Sequence, residues 1–221
     1  MEIIIEALPQ ILSGLVKTIE YSAAGIVFAI IIGLIVAFMK LSSLSVVKGI
    51  ANVYVEMFRC TPLLIQIMFI YFGLANVLPL HAWLGQSYVW IAAASALALN
   101  EGSYMAEVIR GGIVSIDRGQ KEAAHSIGMT HSQTMIHIVL PQAFKRMIPP
   151  LVNQSAQTIK DTSLLAMIGI GELIYTGQII VANNFRAFPI YGAIAVFYFI
   201  VIWPITRAAT YLERRLQVDK R

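Results

Sequence analysis

Polar side chains interrupt two stretches that are otherwise apolar. Between Pro141 and Lys160 the residues Asn153, Gln157, Lys160 and Asp161 recur at i, i+4, i+7 and i+8, the repeat of one helical face, with Gln154 beside them and Thr162 and Ser163 just beyond. The run Tyr88 to Ile109 carries Asn100, Glu101 and Tyr104, close enough to line a shared cavity. Amides, hydroxyls, a carboxylate and an ammonium in such places bind or pass a polar solute. Where lipid surrounds them they are costly, so they mark a pathway by default. The alternative is structural pairing of Lys160 and Asp161. Glu107 with Arg110, and Glu56 with Arg59, share an i, i+3 spacing that suits structural ion pairs. No bond-breaking constellation stands beside these groups. His125, His131 and His137 lie six apart, not at the i, i+4 spacing of a helical metal pair, and His81 is alone. The single cysteine, Cys60, allows neither an internal disulfide nor a cysteine-based zinc site. No metal is expected.

The elements that must position these groups are membrane spans. The chain has 221 residues, of which 58% are hydrophobic and 13% charged. Its mean hydropathy is +0.74. Soluble domains carry roughly 25% charged residues, so this chain cannot clothe a soluble surface. Disordered, disulfide-rich and collagen-like classes are excluded on the same grounds. At 1.5 Å per residue, ~20 apolar residues cross the hydrocarbon core. Five such spans are expected, at about Tyr21 to Met39, Pro62 to Leu80, Tyr88 to Ile109, Pro141 to Lys160 and Pro189 to Ala209. An amphipathic stretch enters the first. Leu164 to Ile180 reads as a re-entrant segment or a short helix on the outer surface, and Phe197, Tyr198, Phe199 and Trp203 as lipid-facing or interface aromatics. The opening residues Met-Glu-Ile-Ile-Ile-Glu are acidic and lead to no cleavage site, so no cleaved signal peptide is expected.

Charge orients the spans. Lys40, Lys48 and Arg59 fall between the first and second. Arg110, Arg118, Lys121, Lys145 and Arg146 fall between the third and fourth, and Arg207, Arg214, Arg215, Lys220 and Arg221 follow the fifth. The other side holds little that is basic. The positive-inside rule then places the N-terminus outside and the C-terminus in the cytoplasm. The formal charge of +4 therefore reports topology rather than a nucleic-acid partner.

The long cytoplasmic segment between the third and fourth spans holds a short helical start, Glu122, Ala123 and Ala124. Gly128 can turn the chain without a Cβ penalty, Thr130 can cap a following helix, and Pro141 suits the start of the next span. A polar helix protruding from a membrane protein either lies on the lipid surface or docks into a partner. The pattern Glu-Ala-Ala, three residues, Gly, nine residues, Ile, one residue, Leu-Pro resembles the EAA loop of ABC importer permeases. Glu122, Ala123, Ala124, Gly128, Ile138, Leu140 and Pro141 match it at every defined position.

The resemblance covers most of the chain and is greatest to the polar amino acid uptake subfamily, of the histidine, arginine, glutamine and cystine type. Glu56, Arg59, Thr61, Pro62, Leu63, Leu64 and Gln66 match its segment before the second span, with Cys60 where Gly is usual. Tyr104, Glu107, Arg110, Gly111, Gly112 and Ile113 match a second segment, with Ser103 where Ala is common. Lys160 to Leu164 and Leu212 to Arg215 match two more.

The resemblance implies an all-α membrane protein with the fold of a type I ABC importer transmembrane domain. Residues 1–221 would form a single permease domain with the coupling loop at about 117–138. It implies a bacterial inner-membrane, multi-pass permease subunit for polar amino acids, working by alternating access. Its implied partners are two copies of an ATPase subunit, a second permease that is identical or paralogous, and an extracytoplasmic binding protein. Glu122, Ala123, Ala124 and Gly128 would couple to the ATPase. Asn100, Asn153, Gln154, Gln157, Lys160, Asp161, Thr162 and Ser163 would form the substrate pathway, with Lys160 for a carboxylate and Asp161 for an ammonium. The chain lacks a phosphate-binding Gly-x-x-x-x-Gly-Lys-Ser/Thr loop, so ATP and Mg would belong to the partner and this chain would carry no cofactor and not itself be an enzyme. Competing readings are an importer for another small solute, an ion-driven secondary transporter, which usually shows internal repeats, and a membrane-embedded enzyme.

Overall fold

The computed structural model describes residues 2–216, and every described element is helical. Lys220 and Arg221, part of the charge bias above, lie outside the described residues. Helix α1 runs from Glu2 to Leu41. The expected first span and the amphipathic stretch before it are one helix of 40 residues, ~60 Å long at the α-helical rise. Pro9 lies inside this helix, beyond its first turn, and removes one backbone bond there. Helix α2 (Ser45–Arg59) fills the connection between the first two expected spans. Its buried residues Ala51, Val55 and Phe58 follow helical spacing and pack on α1 and on α6 (Tyr88–Val114).

The chain then turns by 105° at Cys60 to Pro62. The second span follows as α3 (Leu63–Met68), a wide π turn (Phe69–Gly73) and α4 (Leu74–Val77). Pro62 stands at the N-cap of α3 in an extended conformation, so its missing N–H costs nothing there. A short α5 (Leu80–Leu84) and a 3-10 turn (Gly85–Ser87) lead to α6.

Helix α6 is the hub. Its alanine-rich face, including Ala92, Ala93 and Ala96, is buried, and α1 lies along much of its length. The two backbones meet where small residues permit it. A Cβ on Gly33 would lie 2.8 Å from Met105 Cβ, and one on Gly102 would lie 2.8 Å from Ile32 Cγ2. Toward the C-terminal end of α6, Glu107 pairs with Arg110 at 2.8 Å, as the i, i+3 spacing predicts, and also with Lys40 of α1 at 2.5 Å.

Helix α7 (Arg118–Ser126) follows, then α8 (His131–Thr134), a second π turn (Met135–Val139) and α9 (Leu140–Asp161). The helix that carries the fourth span thus begins before Pro141. The wide turn ends two residues before that proline, whose ring and missing N–H disturb a regular ladder at this point. A 3-10 segment (Thr162–Ile168), a break at left-handed Gly169, and α10 (Leu173–Asn184) come next. Helix α10 is packed rather than free-lying: Leu173 and Ile180 join Ala7 and Ile11 of α1 and Ile190 and Ile194 of α11 (Ala187–Leu216) in one apolar cluster. Among the described residues three helical stretches are long and apolar enough to cross a membrane, and five if each of two bent pairs counts as one span.

Candidate functional site

A cavity of about 540 Å³ opens where the α2–α3 corner meets α6 and α9. The corner contributes Arg59, Cys60 and Thr61, α6 contributes Asn100, Glu101 and Tyr104, and α9 contributes Gln154, Gln157 and Asp161. The corner is held by amides. Gln66 Nε2 donates to the Phe58 carbonyl (2.9 Å), the Thr61 carbonyl (3.1 Å) and Thr61 Oγ1 (2.8 Å). Asn100 Nδ2 donates to the same Phe58 carbonyl (3.2 Å) and to Gln66 Oε1 (2.9 Å). Phe58 lies in the last turn of α2, where carbonyls have no partner within the helix, and these two side chains supply one.

Gln154 Nε2 donates to buried Glu101 at 2.6 Å, which ties α6 to α9 across the cavity wall. Gln157 Nε2 donates to Asp161 at 3.0 Å. The guanidinium of Arg59 lies 5.2 Å from the centre of the Tyr104 ring, a cation–π contact, and among the described residues Arg59 makes no ion pair with Glu56. The cavity is thus lined by a guanidinium, two carboxyl groups and several amides. That arrangement can hold a small molecule carrying both charge signs.

The proposed pathway residues do not all meet. Gln154, Gln157 and Asp161 share the cavity with Asn100. Lys160 and Ser163 instead line a second, mostly apolar cleft of about 490 Å³ with Ile174, Tyr198, Phe199 and Trp203. Asn153 is exposed and lines neither space. Thr162 is buried, with its hydroxyl donating to the Ile159 carbonyl at 2.7 Å. The helical wheel explains the division. At ~100° per residue, 154, 157 and 161 cluster within about 60°, whereas 153 and 160 lie together on the adjoining sector. Lys160 and Asp161 are therefore turned apart into different spaces.

Arg59, Cys60 and Thr61 were not singled out as site residues by their types. The Thr61–Pro62 dipeptide was the available signal, because a residue before proline is driven out of the helical region and breaks the chain there. Glu172 was also missed. It is fully buried at the start of α10, where its carboxylate accepts from Ile174 N (2.9 Å), Tyr175 N (2.7 Å) and Tyr198 Oη (3.2 Å). The aromatic group on α11 divides accordingly: Phe199 and Trp203 are exposed, while Tyr198 turns inward to this carboxylate.

The second feature is the loop between α6 and α9. Asp117 caps α7 by accepting from Gly119 N at 2.7 Å. Glu122 is exposed and paired with Arg118 at 2.8 Å, Ala123 is exposed, and Ala124 is buried on a helix that packs on α8 and the π turn after it. Gly128 turns the chain at φ +85°, a conformation that favours glycine. Thr130 then caps α8 in a reciprocal box with Gln133. The outer face of α7 and its exit, with Ile127 80% exposed, is not covered by any of the described residues.

Among the described residues no group of three or more histidine, cysteine or acidic side chains could hold a metal ion. Comparison with known proteins brings these features together. The family described as "Binding-protein-dependent transport system inner membrane component" matches residues 25–218. The glutamine transport system permease protein GlnP of Escherichia coli (strain K12) is 37% identical over 215 residues, 96% of this chain and 95% of that protein. Among solved structures, an amino acid ABC transporter with histidines superposes with a TM-score of 0.87 at 35% identity, covering 96% of both chains. The MetNI methionine ABC transporter, in inward-facing conformations, shares the fold at a TM-score of 0.76 and 18% identity over 95% of this chain and 97% of that one. Permease subunits of this kind are transport components rather than enzymes, and carry no cofactor themselves. The match to nearly the whole chain, joined to a helical bundle with a polar cavity and a protruding loop, shows that this chain belongs to the binding-protein-dependent transport system inner membrane component family, as the permease component of an amino acid ABC importer.

Proposed function

We propose that residues 1–221 form one permease domain that imports a small polar amino acid by alternating access, with its N-terminus outside and its C-terminus in the cytoplasm of a bacterial inner membrane. The polar cavity is the substrate path. Arg59, rather than Lys160, receives the α-carboxylate, and Asp161 with Glu101 receives the ammonium. Gln154 and Gln157 supply neutral hydrogen bonds that suit an amide or a hydroxyl. Two ATPase subunits supply the energy with their own ATP and Mg, a second permease completes the pathway, and an extracytoplasmic binding protein delivers the substrate.

Glu122, Ala123, Ala124 and Gly128 dock the ATPase. The observation that carries this reading is connectivity. The protruding loop joins α6 to α9, and those same two helices carry most of the cavity's polar groups. A displacement of the loop has a direct mechanical route to the cavity walls.

The test is ATP-dependent uptake in proteoliposomes that hold the permease, its ATPase and its binding protein. Radiolabelled glutamine is screened first, because a relative is named for it, and arginine and histidine next. Cys60, the sole cysteine, lines the cavity and reports occupancy. The transported amino acid slows its modification by a maleimide, and amino acids that are not transported leave it unchanged. A variant with Glu122→Lys and Gly128→Asp inserts normally but loses uptake and no longer retains the ATPase. Uptake that persists without ATP and collapses with an ion gradient would sink the reading in favour of a secondary transporter.

A further inference from the structure

At the foot of the loop, Arg146 of α9 reaches across to the end of α6. Its Nη1 donates to the Ser115 backbone carbonyl at 2.5 Å and lies 3.3 Å from Ser115 Oγ. Ser115 is the C-cap of α6, where the last carbonyls have no partner within the helix and the helix dipole favours a cation. Neighbouring arginines are committed to carboxylates: Arg110 to Glu107 and Arg118 to Glu122. Arg146 is committed to backbone. Directly beneath, Ile116 is buried with Ile109, Ile113, Val139, Ala143 and Met147 in a cluster that joins α6 to α9. The outgoing and returning limbs of the loop are thus joined at their base by an apolar plug and one guanidinium.

We infer that Arg146 is a positioning residue for energy coupling: it makes the ends of α6 and α9 move as one when the loop is displaced. The inference rests on the docking role of the loop proposed above. Its physical ground is leverage. Ser115 lies fourteen residues beyond Glu101, ~21 Å along α6, and Arg146 lies eleven residues before Gln157, ~17 Å along α9. A foot that splays absorbs the displacement in the last turn of α6, before it reaches the cavity. A foot held together passes it to both walls, which are tied again higher up by Gln154 and Glu101 at 2.6 Å. The main acceptor is the carbonyl, not the hydroxyl, so the side chain of Ser115 is dispensable while the guanidinium is not.

The experiment reads substrate moved per ATP hydrolysed in proteoliposomes, together with retention of the ATPase on the purified permease. Arg146→Ala retains the ATPase and its hydrolysis, while transport per ATP falls about threefold to tenfold, the range expected for losing one charge-assisted hydrogen bond at an exposed site. Arg146→Lys recovers part of the ratio, and Ser115→Ala stays at the wild-type value. Should Arg146→Ala insert poorly, Arg146→Gln is read in its place, because it keeps an amide donor and loses only the charge and part of the reach. An unchanged ratio in either variant overturns the inference, and so does a Ser115→Ala defect as large as that of Arg146→Ala. The doubly substituted loop variant, Glu122→Lys with Gly128→Asp, separates this failure from that of the docking role. If it retains both the ATPase and uptake, the docking role itself fails. If it loses both while Arg146→Ala keeps a normal ratio, only the role of Arg146 falls.

Discussion

The loop and the cavity are built by opposite means. The loop is assembled by short-range contacts: Asp117 caps α7 two residues on, Glu122 pairs with Arg118 four residues away, and Thr130 and Gln133 cap one another. The cavity draws Arg59, Asn100 and Gln157 from segments that are far apart in the chain, and its corner depends on Asn100 reaching a carbonyl 42 residues away. A structure made locally can protrude and keep its shape for a partner. One made by long-range contacts changes shape when helices shift, which a transport path requires.

Substitutions that separate the two regions sharpen this contrast. Asp161→Asn removes a carboxylate from the cavity without touching the loop. It should lower uptake about tenfold, from loss of a charged hydrogen bond to an ammonium, while the ATPase remains bound. Substrate protection of Cys60 from maleimide should weaken in parallel. Strong uptake in this variant would remove Asp161 from the path.

Asn100→Leu tests the corner. It leaves the Phe58 carbonyl and Gln66 short of a donor, at a cost of about 1–3 kcal/mol. The solubilised permease should unfold at a lower temperature, and maleimide should reach Cys60 faster as the corner loosens. An unaltered melting temperature would show that Gln66 alone holds the turn.

Thr130→Ala probes the loop by its local bonds. Losing the cap costs about 1 kcal/mol. Because the cap lies beyond the cavity, ATPase retention should fall modestly and Cys60 protection should not change. A change in protection would show that the two regions are less separable than their construction suggests.

Lys160→Gln should have the smallest effect. Lys160 faces the apolar cleft beside Tyr198 and Trp203 rather than the polar cavity, so protection of Cys60 should stay within about twofold of wild type. A tenfold loss would place Lys160 on the path with Asp161 in another state of the transporter.

How far each region could be read from sequence follows from the same difference. The Glu-Ala-Ala pattern, the turn at Gly128 and the cap at Thr130 act within a few residues, so spacing alone exposes them, and the structure has Gly128 at φ +85° and Thr130 in a capping box. The Glu107–Arg110 pair was legible for the same reason. The Glu56–Arg59 pair has identical spacing on α2, yet among the described residues it makes no ion pair, and Arg59 lies instead over the ring of Tyr104. Helix α2 carried its pattern openly in Ala51, Val55 and Phe58, but a short, charged segment between longer apolar runs reads as a connection. The merger of two expected stretches into α1 was hidden for a simpler reason: hydropathy measures apolar length, and a helix continues past the apolar run when nothing breaks it.

The sequence by itself determined the class of the molecule, its family and the local build of its loop. Composition, hydrophobic run length and hydrogen bonds between near neighbours act without reference to the rest of the chain. Only the tertiary structure decided which polar residues meet. A single residue step rotates a side chain by about 100° around its helix, so Lys160 and Asp161, adjacent in sequence, face different spaces. Which of those faces becomes a cavity wall depends on how α9 is rolled against α6, and that roll is set by long-range packing and by the bond between Gln154 and Glu101.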